Sequence, residues 1–180
     1  KTSCVNMVLS GTASGVIGGA FVARACSVDN AITLDIGGTS ADVAVVIGGE
    51  PQYGMGEKIG EFPLYIPSIS VTSIGDGGGS IARVDEFGVL KVGPESAGSD
   101  PGPACYGRGG ERPTITDAFA VSGFLGHHDL AYNSVQLDLE KARAAIATVA
   151  EPLGLSLEET AEAIIRVAIS GMYMEINKLT

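Results

Sequence analysis

Cysteine and histidine are scarce in this 180-residue chain. It has three cysteines, an odd number without a CxxC spacing, and two histidines, which are adjacent in sequence. A disulfide framework or a zinc centre built on Cys and His needs several such residues at set spacings. The sequence therefore argues against both kinds of site.

Positive charge is also in short supply. Lys and Arg together number 11 against 21 Asp and Glu, which gives a formal net charge of −10. Because nucleic-acid binding needs clustered Lys and Arg, a nucleic-acid partner is not expected. ATP stays possible, since backbone amides and Mg2+ supply positive field locally. No apolar stretch reaches the roughly 20 residues of a membrane span, so no membrane partner is expected and a cytoplasmic protein is the default prediction.

What the chain has in quantity is apolar surface and glycine. Hydrophobic residues make up 45% of it, enough for a core, and 26 glycines point to tight turns or close backbone approaches. Predicted strands come early and predicted helices late, which favours a mixed α/β (α+β) lobe. The sequence starts without Met and stops within a helical pattern, so we expect residues 1–180 to form a single domain that is a fragment of a longer polypeptide.

The predicted elements follow from periodicity and from cap and turn residues. The expected strands are Ala31–Ile36 (buried), Asp42–Ile47, Ile81–Val84 and Val89–Val92. The expected helices are Gly11–Ala25, Asp117–Leu125 with Thr116 as cap, Leu139–Ala150 with Asp138 as cap, and one opened by the capping box Ser156–Glu159. Residues Gly93–Pro113 are rich in Gly, Pro and Ser and are expected to form a loop.

The segment Asp35-Ile-Gly-Gly-Thr-Ser-Ala-Asp42 joins two of these strands and is the first candidate site. Gly37 and Gly38 would let backbone amides approach a phosphate, and the hydroxyls of Thr39 and Ser40 could donate to it. Asp35, at the strand end, is placed to hold the hydration shell of Mg2+ or to orient an attacking water. A plain tight hairpin explains the same residues equally well.

Two further segments offer weaker signals. Gly77, Gly78 and Gly79 could line a flat ligand surface such as ribose or adenine, although a flexible turn is the commoner use of such a run. Cys105 lies beside Tyr106 in the long predicted loop but has no histidine near it in sequence to act as a base. Nucleophilic catalysis by this thiol is therefore not expected.

Taken in order, five motifs resemble the A subunit of the hydantoinase/oxoprolinase family. They are Leu9-Ser-Gly-Thr-Ala-Ser-Gly-Val-Ile-Gly18, Leu34-Asp-Ile-Gly-Gly-Thr-Ser-Ala-Asp-Val43, Ser73-Ile-Gly-Asp-Gly-Gly-Gly-Ser-Ile-Ala82, Val92-Gly-Pro-Glu-Ser-Ala-Gly-Ser-Asp-Pro-Gly-Pro-Ala-Cys-Tyr-Gly107 and Pro113-Thr-Ile-Thr-Asp-Ala118. Each glycine motif is common by itself. The fourth string is specific, and the ordered set is more specific still.

This resemblance implies an actin-like ATPase fold, of which the chain would form the second lobe without the N-terminal lobe. It implies ATP and Mg2+ as cofactors, with the second phosphate loop at Asp35, Gly37, Gly38 and Thr39 and nucleotide-proximal glycines at Gly77–Gly79. It also implies a companion B-type subunit or domain. The expected activity is ATP-dependent opening of a cyclic amide or imide, such as a hydantoin or 5-oxoproline, through phosphoryl activation. The fragment alone is expected to be inactive.

Two other functions remain open at the level of sequence. Some members of the family carboxylate ketones with ATP, so a ketone carboxylase subunit is one alternative. A non-catalytic actin-like scaffold that binds nucleotide is the other. Two departures from the family pattern motivate the scaffold: Ala41 stands where Thr is common, and Asp76 stands where a small residue is common.

Overall fold

The structure is a computed structural model that describes residues 10–54, 58–59, 61–63, 68–125 and 136–179. It is mixed α/β and divides into two compact units. The first unit draws on Lys1–Asp35, Ala41–Ser73 and Leu179–Thr180, and the second on Ile36–Ser40 and Ile74–Lys178. No helix in the described ranges is long and apolar enough to cross a membrane.

The first unit is built on one helix and a small sheet. Its elements are α1 (Ser10–Ala25), β1 (Ala31–Ile36), β2 (Ala41–Ile47), β3 (Glu50–Pro51), β4 (Tyr53–Gly54), β5 (Lys58–Ile59), β6 (Phe62–Pro63), β7 (Ser68–Ile69) and β8 (Thr72–Ile74). The four-stranded sheet runs β1-β2-β3, and β8 also pairs with β2. Because β2 is the central strand, most of its side chains are buried. A small core joins Val16 of α1, Ala44 of β2 and Ile69 of β7.

One expectation for this unit is wrong. The strand Ala31–Ile36 forms where it was predicted, but it is not buried: Ile32, Leu34 and Ile36 are 43%, 44% and 53% exposed. The apolar run identified the strand correctly. It could not show that β1 pairs only with β2 in the described sheet, which leaves the strand at an edge.

The second unit packs a hairpin against three helices. Its elements are β9 (Ser80–Val84), β10 (Leu90–Ser96), a 3-10 turn (Ala104–Tyr106), α2 (Ile115–Val121), α3 (Leu139–Leu153) and α4 (Leu157–Ile176). The antiparallel β9–β10 hairpin turns at Asp85, whose carboxylate accepts hydrogen bonds from the amides of Phe87 and Val89. Ile146 of α3 and Ile164 of α4 are fully buried in its main core. Each such side chain stabilises the fold by about 1.5–3 kcal/mol through its removal from water.

The helix ends confirm most of the predicted caps. The Asp138 side chain accepts from the amide of Lys141, and Ser156 and Glu159 form a reciprocal capping box at the start of α4. The cap of α2 was predicted wrongly. Thr114, and not Thr116, caps this helix, because its hydroxyl and the Asp117 carboxylate form a second capping box.

The predicted loop Gly93–Pro113 is shorter than expected. Strand β10 continues through it to Ser96, where a bulge between Val92 and Ser96 accommodates Gly93 at φ +63°. The guanidinium of Arg83 donates to the carbonyl of Gly93 at 2.6 Å and holds this bulge. Glycine and proline disfavour a strand locally, so only the pairing with β9 shows that the strand continues.

Candidate functional site

The segment Gly37–Ser40, here called the GGTS loop, connects β1 to β2. The connection is too short for a parallel crossover, so the two strands form the hairpin that the sequence predicts. The amide of Gly37 donates to the carbonyl of Ser40 at 2.9 Å and closes the turn. Gly37, Gly38 and Thr39 are exposed, while Ser40 is partly buried. The loop therefore presents its tip to solvent.

The second glycine cluster, Gly77–Gly79, lies directly against the GGTS loop; we call it the glycine platform. The amide of Gly78 donates to the carbonyl of Gly37 at 2.9 Å, and the amide of Gly79 donates to the carbonyl of Gly38 at 2.6 Å. Two neighbouring carbonyls of the loop are thereby tied to two neighbouring amides of the platform. The structure thus brings together two predicted clusters that are far apart in sequence.

The platform must be glycine because the two backbones are so close. A Cβ at Gly77 would lie 2.5 Å from the amide nitrogen of Ser40 and 2.7 Å from that of Thr39. A Cβ at Gly79 would lie 2.7 Å from the carbonyl oxygen of Gly38. Real Cβ atoms essentially never approach this closely. These glycines are required by internal packing, whatever else they contact.

Part of the hydrogen-bonding capacity of the GGTS loop is unused. Within the described residues, the amides of Gly38, Thr39 and Ser40 donate to no protein acceptor, and the same holds for the hydroxyls of Thr39 and Ser40. A Cβ added at Gly38 would meet nothing within 4 Å. Successive amides without a protein acceptor on an anchored turn are the groups from which anion-binding concavities are built, so the residues present fit a phosphate group. The binding roles assigned to Gly37–Ser40 and Gly77–Gly79 remain predictions.

Helix α2 contacts the platform through a residue that sequence reasoning did not place in the site. Both the amide and the hydroxyl of Thr116 donate to the carbonyl of Gly78, each at 2.8 Å. The amide of Ala97 donates to the carbonyl of Gly79 at 2.8 Å. The motif Pro113-Thr-Ile-Thr-Asp-Ala118 was the only sequence signal for this contact, and it revealed a helix start without revealing what the helix touches.

A buried carboxylate fixes the start of α2. Asp117 is fully buried and accepts hydrogen bonds from the amides of Ala104, Cys105 and Thr114 and from the Thr114 hydroxyl, at 2.7–3.3 Å. These donors satisfy both carboxylate oxygens, as a buried charge requires. The network connects the 3-10 turn to the helix that holds the platform.

Cys105 is confirmed as an unsuitable nucleophile. Its side chain is fully buried, and burial, together with the nearby Asp117 carboxylate, raises the pKa of the thiol far above its usual range. Both effects disfavour the thiolate, which is the reactive form of the side chain. Burial also raises the pKa of Tyr106, and a contact with Thr116 acts in the opposite direction.

Asp35 belongs to the first unit, unlike the GGTS loop that follows it in the chain. It is exposed and lines a cavity of about 370 Å³ together with Thr12 and Asp42. The Thr12 hydroxyl donates to the Asp42 carboxylate at 3.0 Å and orients it. No group of three or more His, Cys, Asp or Glu gathers in the part of the chain that the structure describes. Since Mg2+ commonly binds through one or two carboxylates plus phosphates and waters, the pair still fits that ion.

Asp76 is directed toward α4. Its carboxylate oxygen would lie 2.8 Å from a Cβ at Gly171, and it lines a cavity of about 400 Å³ with Arg166 and Ser170. Partial burial and the charge of Glu175 raise the pKa of Asp76. The carboxylate of Asp76 therefore lies beside residues of α4. This position weakens the argument that Asp76 favours a non-catalytic scaffold.

Comparison with known proteins identifies relatives over the whole chain. The sequence model of the family described as Hydantoinase/oxoprolinase matches residues 1–180. The alpha subunit of caprolactamase from Pseudomonas jessenii is 42% identical over 181 residues, which cover 100% of this chain and 26% of that protein. The gamma subunit of acetophenone carboxylase from Aromatoleum aromaticum is 38% identical over 94% of this chain and 23% of its own length.

A solved structure agrees with the sequence comparison. The crystal structure of ATP-dependent caprolactamase from Pseudomonas jessenii superposes with a TM-score of 0.86 at 42% identity, covering 98% of this chain and 26% of that one. The chain thus spans about a quarter of the length of the relatives it matches. The chain belongs to the hydantoinase/oxoprolinase family.

Proposed function

We propose that this chain is part of an ATP-dependent enzyme that opens a cyclic amide or imide. The observation that carries the proposal is the GGTS loop: three successive amides have no protein acceptor within the described residues, while the Gly37 and Gly38 carbonyls are tied to the glycine platform. The relative with 42% identity is a subunit of an ATP-dependent caprolactamase, which acts on a cyclic amide. Family membership and loop geometry support the same reading.

In this proposal the amides of Gly38, Thr39 and Ser40 hold a phosphate group, and the hydroxyls of Thr39 and Ser40 donate to its oxygens. Gly77 and Gly79 keep the loop fixed before the ligand arrives, so little reorganisation is needed at the moment of reaction. ATP would supply the phosphoryl group that activates the ring amide. Transfer would rest on positioning and charge stabilisation, in keeping with the unreactive Cys105.

Asp35 has a separate role in the proposal. Its exposed carboxylate would hold a hydrated Mg2+ or orient an attacking water, with Asp42 nearby in the same cavity. Carboxylate oxygens accept hydrogen bonds from water and bind hard cations, which suits either task. Mg2+ itself and a cytoplasmic location stay predictions.

We further propose that residues 1–180 form the second lobe of an actin-like ATPase and that other parts of the enzyme complete the site. The chain covers 26% of the caprolactamase subunit, which leaves ample sequence for another lobe. The relatives are named as alpha and gamma subunits, which supports a companion subunit, of B type in this proposal. The isolated 180-residue chain is expected to be inactive.

The decisive test uses the full-length protein with its companion subunit. Lactams, hydantoins and 5-oxoproline are each incubated with ATP and Mg2+, and both ADP and the ring-opened product are measured. We expect ADP formation that depends on the presence of one of these rings. If none of them gives ring opening or stimulates ATP turnover, the hydrolase proposal is wrong.

A ketone carboxylase is the second candidate, because the acetophenone carboxylase gamma subunit is 38% identical. The same preparation is assayed with ketones and bicarbonate in place of the cyclic amides. Carboxylated product together with inert cyclic amides would favour this alternative. Activity on a cyclic amide alone would exclude it as the main activity.

A further inference from the structure

Thr116 holds one backbone carbonyl with two donors. Its amide and its hydroxyl both donate to the carbonyl oxygen of Gly78 at 2.8 Å, across 38 positions of sequence. A carbonyl oxygen has two lone pairs, so both donors can be accommodated. Gly78 has no side chain of its own, and a Cβ there would lie 2.8 Å from the Thr116 hydroxyl oxygen.

Gly78, the residue to which Thr116 donates, is also a residue that holds the GGTS loop. Gly78 accepts from Thr116 at its carbonyl and donates to Gly37 at its amide. Thr116 is itself fixed, since it lies in the first turn of α2, whose start is set by the buried Asp117 carboxylate and Thr114. Asp117 is the covalent neighbour of Thr116, so the hydrogen bonds on either side of this link connect a buried anchor to the exposed loop.

We propose that Thr116 is a positioning residue for the GGTS loop: it fixes the Gly78 peptide so that the unpaired amides of Gly38–Ser40 are held ready for a phosphate. The proposal rests on the proposed function, because it assigns that phosphate to ATP. Thr116 acts through Gly78 and not by touching the ligand, so removal of its hydroxyl leaves every unpaired amide of the loop in place but less well fixed.

The substitution Thr116→Val tests this directly. Valine matches threonine in shape and keeps the amide donor, so α2 and its capping box are retained while one of the two bonds to Gly78 is lost. Thr116→Ser keeps the hydroxyl and loses only a methyl group. Thr148→Val is the matched control, because the Thr148 hydroxyl also donates to a backbone carbonyl, that of Ala145 at 2.7 Å, within α3.

The experiment uses the full-length protein with its companion subunit and has two readouts. Hydrogen exchange of segment 75–80 reports, without any ligand, on the Gly78 and Gly79 amides that hold the loop, and calorimetry with ATP and Mg2+ reports the nucleotide affinity. For Thr116→Val we expect faster exchange in this segment and about fivefold weaker ATP binding, the effect of losing one ordinary hydrogen bond. Thr116→Ser and Thr148→Val are expected to match the wild type in both readouts.

Each other outcome is decisive. Unchanged exchange of segment 75–80 in Thr116→Val would overturn the proposal, whatever the affinity for ATP. Equal changes of exchange and of ATP affinity in Thr116→Val and Thr116→Ser would also overturn the proposal, because the hydroxyl would then be irrelevant. The comparison of these two variants remains informative even if the valine variant folds poorly. A wild type that binds no ATP while Thr116→Val still exchanges faster would contradict the proposed function and support the positioning role.

Discussion

The substitution Gly77→Ala probes the contact between the glycine platform and the GGTS loop. The added Cβ would lie 2.5 Å from the amide nitrogen of Ser40 and from the carbonyl carbon of Thr39, whereas ordinary contact begins at 3.4 Å. The two backbones must therefore separate by about 0.9 Å. No side-chain rotation can relieve the clash, because the opposing atoms belong to the main chain.

The expected cost follows from this geometry. Overpacking of a well-packed site costs about 1–3 kcal/mol, and a clash with main chain favours the upper part of that range. With about 2–4 °C of melting temperature per kcal/mol for a domain of this size, a cost of about 2–3 kcal/mol should lower the melting temperature of the unfolding unit that contains this chain by about 4–12 °C. Hydrogen exchange of segment 75–80 should accelerate, since the separation breaks the bonds that the Gly78 and Gly79 amides donate to the loop.

Gly38→Ala is the matched control in the loop itself. A Cβ at Gly38 meets no protein atom within 4 Å, and its φ lies outside the left-handed region, so alanine should fit without strain. Its melting temperature should equal that of the wild type. ATP binding should nevertheless weaken about tenfold, because the new methyl group occupies the space beside the amides of the loop. If Gly77→Ala melts like the wild type, the close approach of the two backbones is wrong.

Four further predictions concern other parts of the molecule. Asp35→Asn should abolish most ATP-dependent turnover of the full-length enzyme without lowering its melting temperature, because the side chain is exposed; an unchanged rate would refute the role of Asp35. Asp117→Asn should destabilise by about 2–3 kcal/mol, since an amide cannot accept at both positions, whereas Asp138→Asn at an exposed cap should cost no more than about 1 kcal/mol. In the native protein an alkylating reagent should modify the exposed Cys26 and spare the buried Cys105, as mass spectrometry of the two peptides can show. Because burial raises the pKa of Cys105, the contribution of this thiol to stability is complete below the ordinary thiol pKa of about 8.5 and declines as the pH rises above it. The free energy of unfolding should therefore fall more steeply between about pH 8.5 and 10 in the wild type than in Cys105→Ala. Equal slopes in the two proteins would contradict this prediction.

Local signals were sufficient to predict several elements. Asp138 and the pair Ser156 and Glu159 mark helix starts because their side chains cap amides only a few residues away. The turn between the predicted strands Ile81–Val84 and Val89–Val92 is equally local, since the Asp85 carboxylate accepts from the amides of Phe87 and Val89. Thr114 was missed although its capping box with Asp117 was readable, because Thr116 offered an equally good single-residue cap.

Contacts between distant segments could not be predicted from local pattern. The Gly93-Pro94 pair disfavours a strand, and only the pairing of Ser96 with Ser80 shows that β10 continues through it. The packing of Gly77 on the GGTS loop likewise depends on which backbone approaches it, and a glycine run does not state this. The resemblance to a family grouped these glycines, but it did not say which of them would remain free for a ligand.

Some glycines of this site are required by internal packing and others are not, and this difference changes how mutations in the site should be interpreted. Loss of activity on substitution of Gly77 or Gly79 cannot be taken as loss of a ligand contact, because each is already required by a main-chain neighbour. Gly38 differs, since it has open space and a free amide within the described residues. Substitution of Gly38 is therefore the clearest test for a bound phosphate, because it should change ligand affinity without changing the stability of the protein. If Gly38→Ala left ATP affinity intact, the phosphate would have to lie elsewhere, and the platform would be a purely structural device.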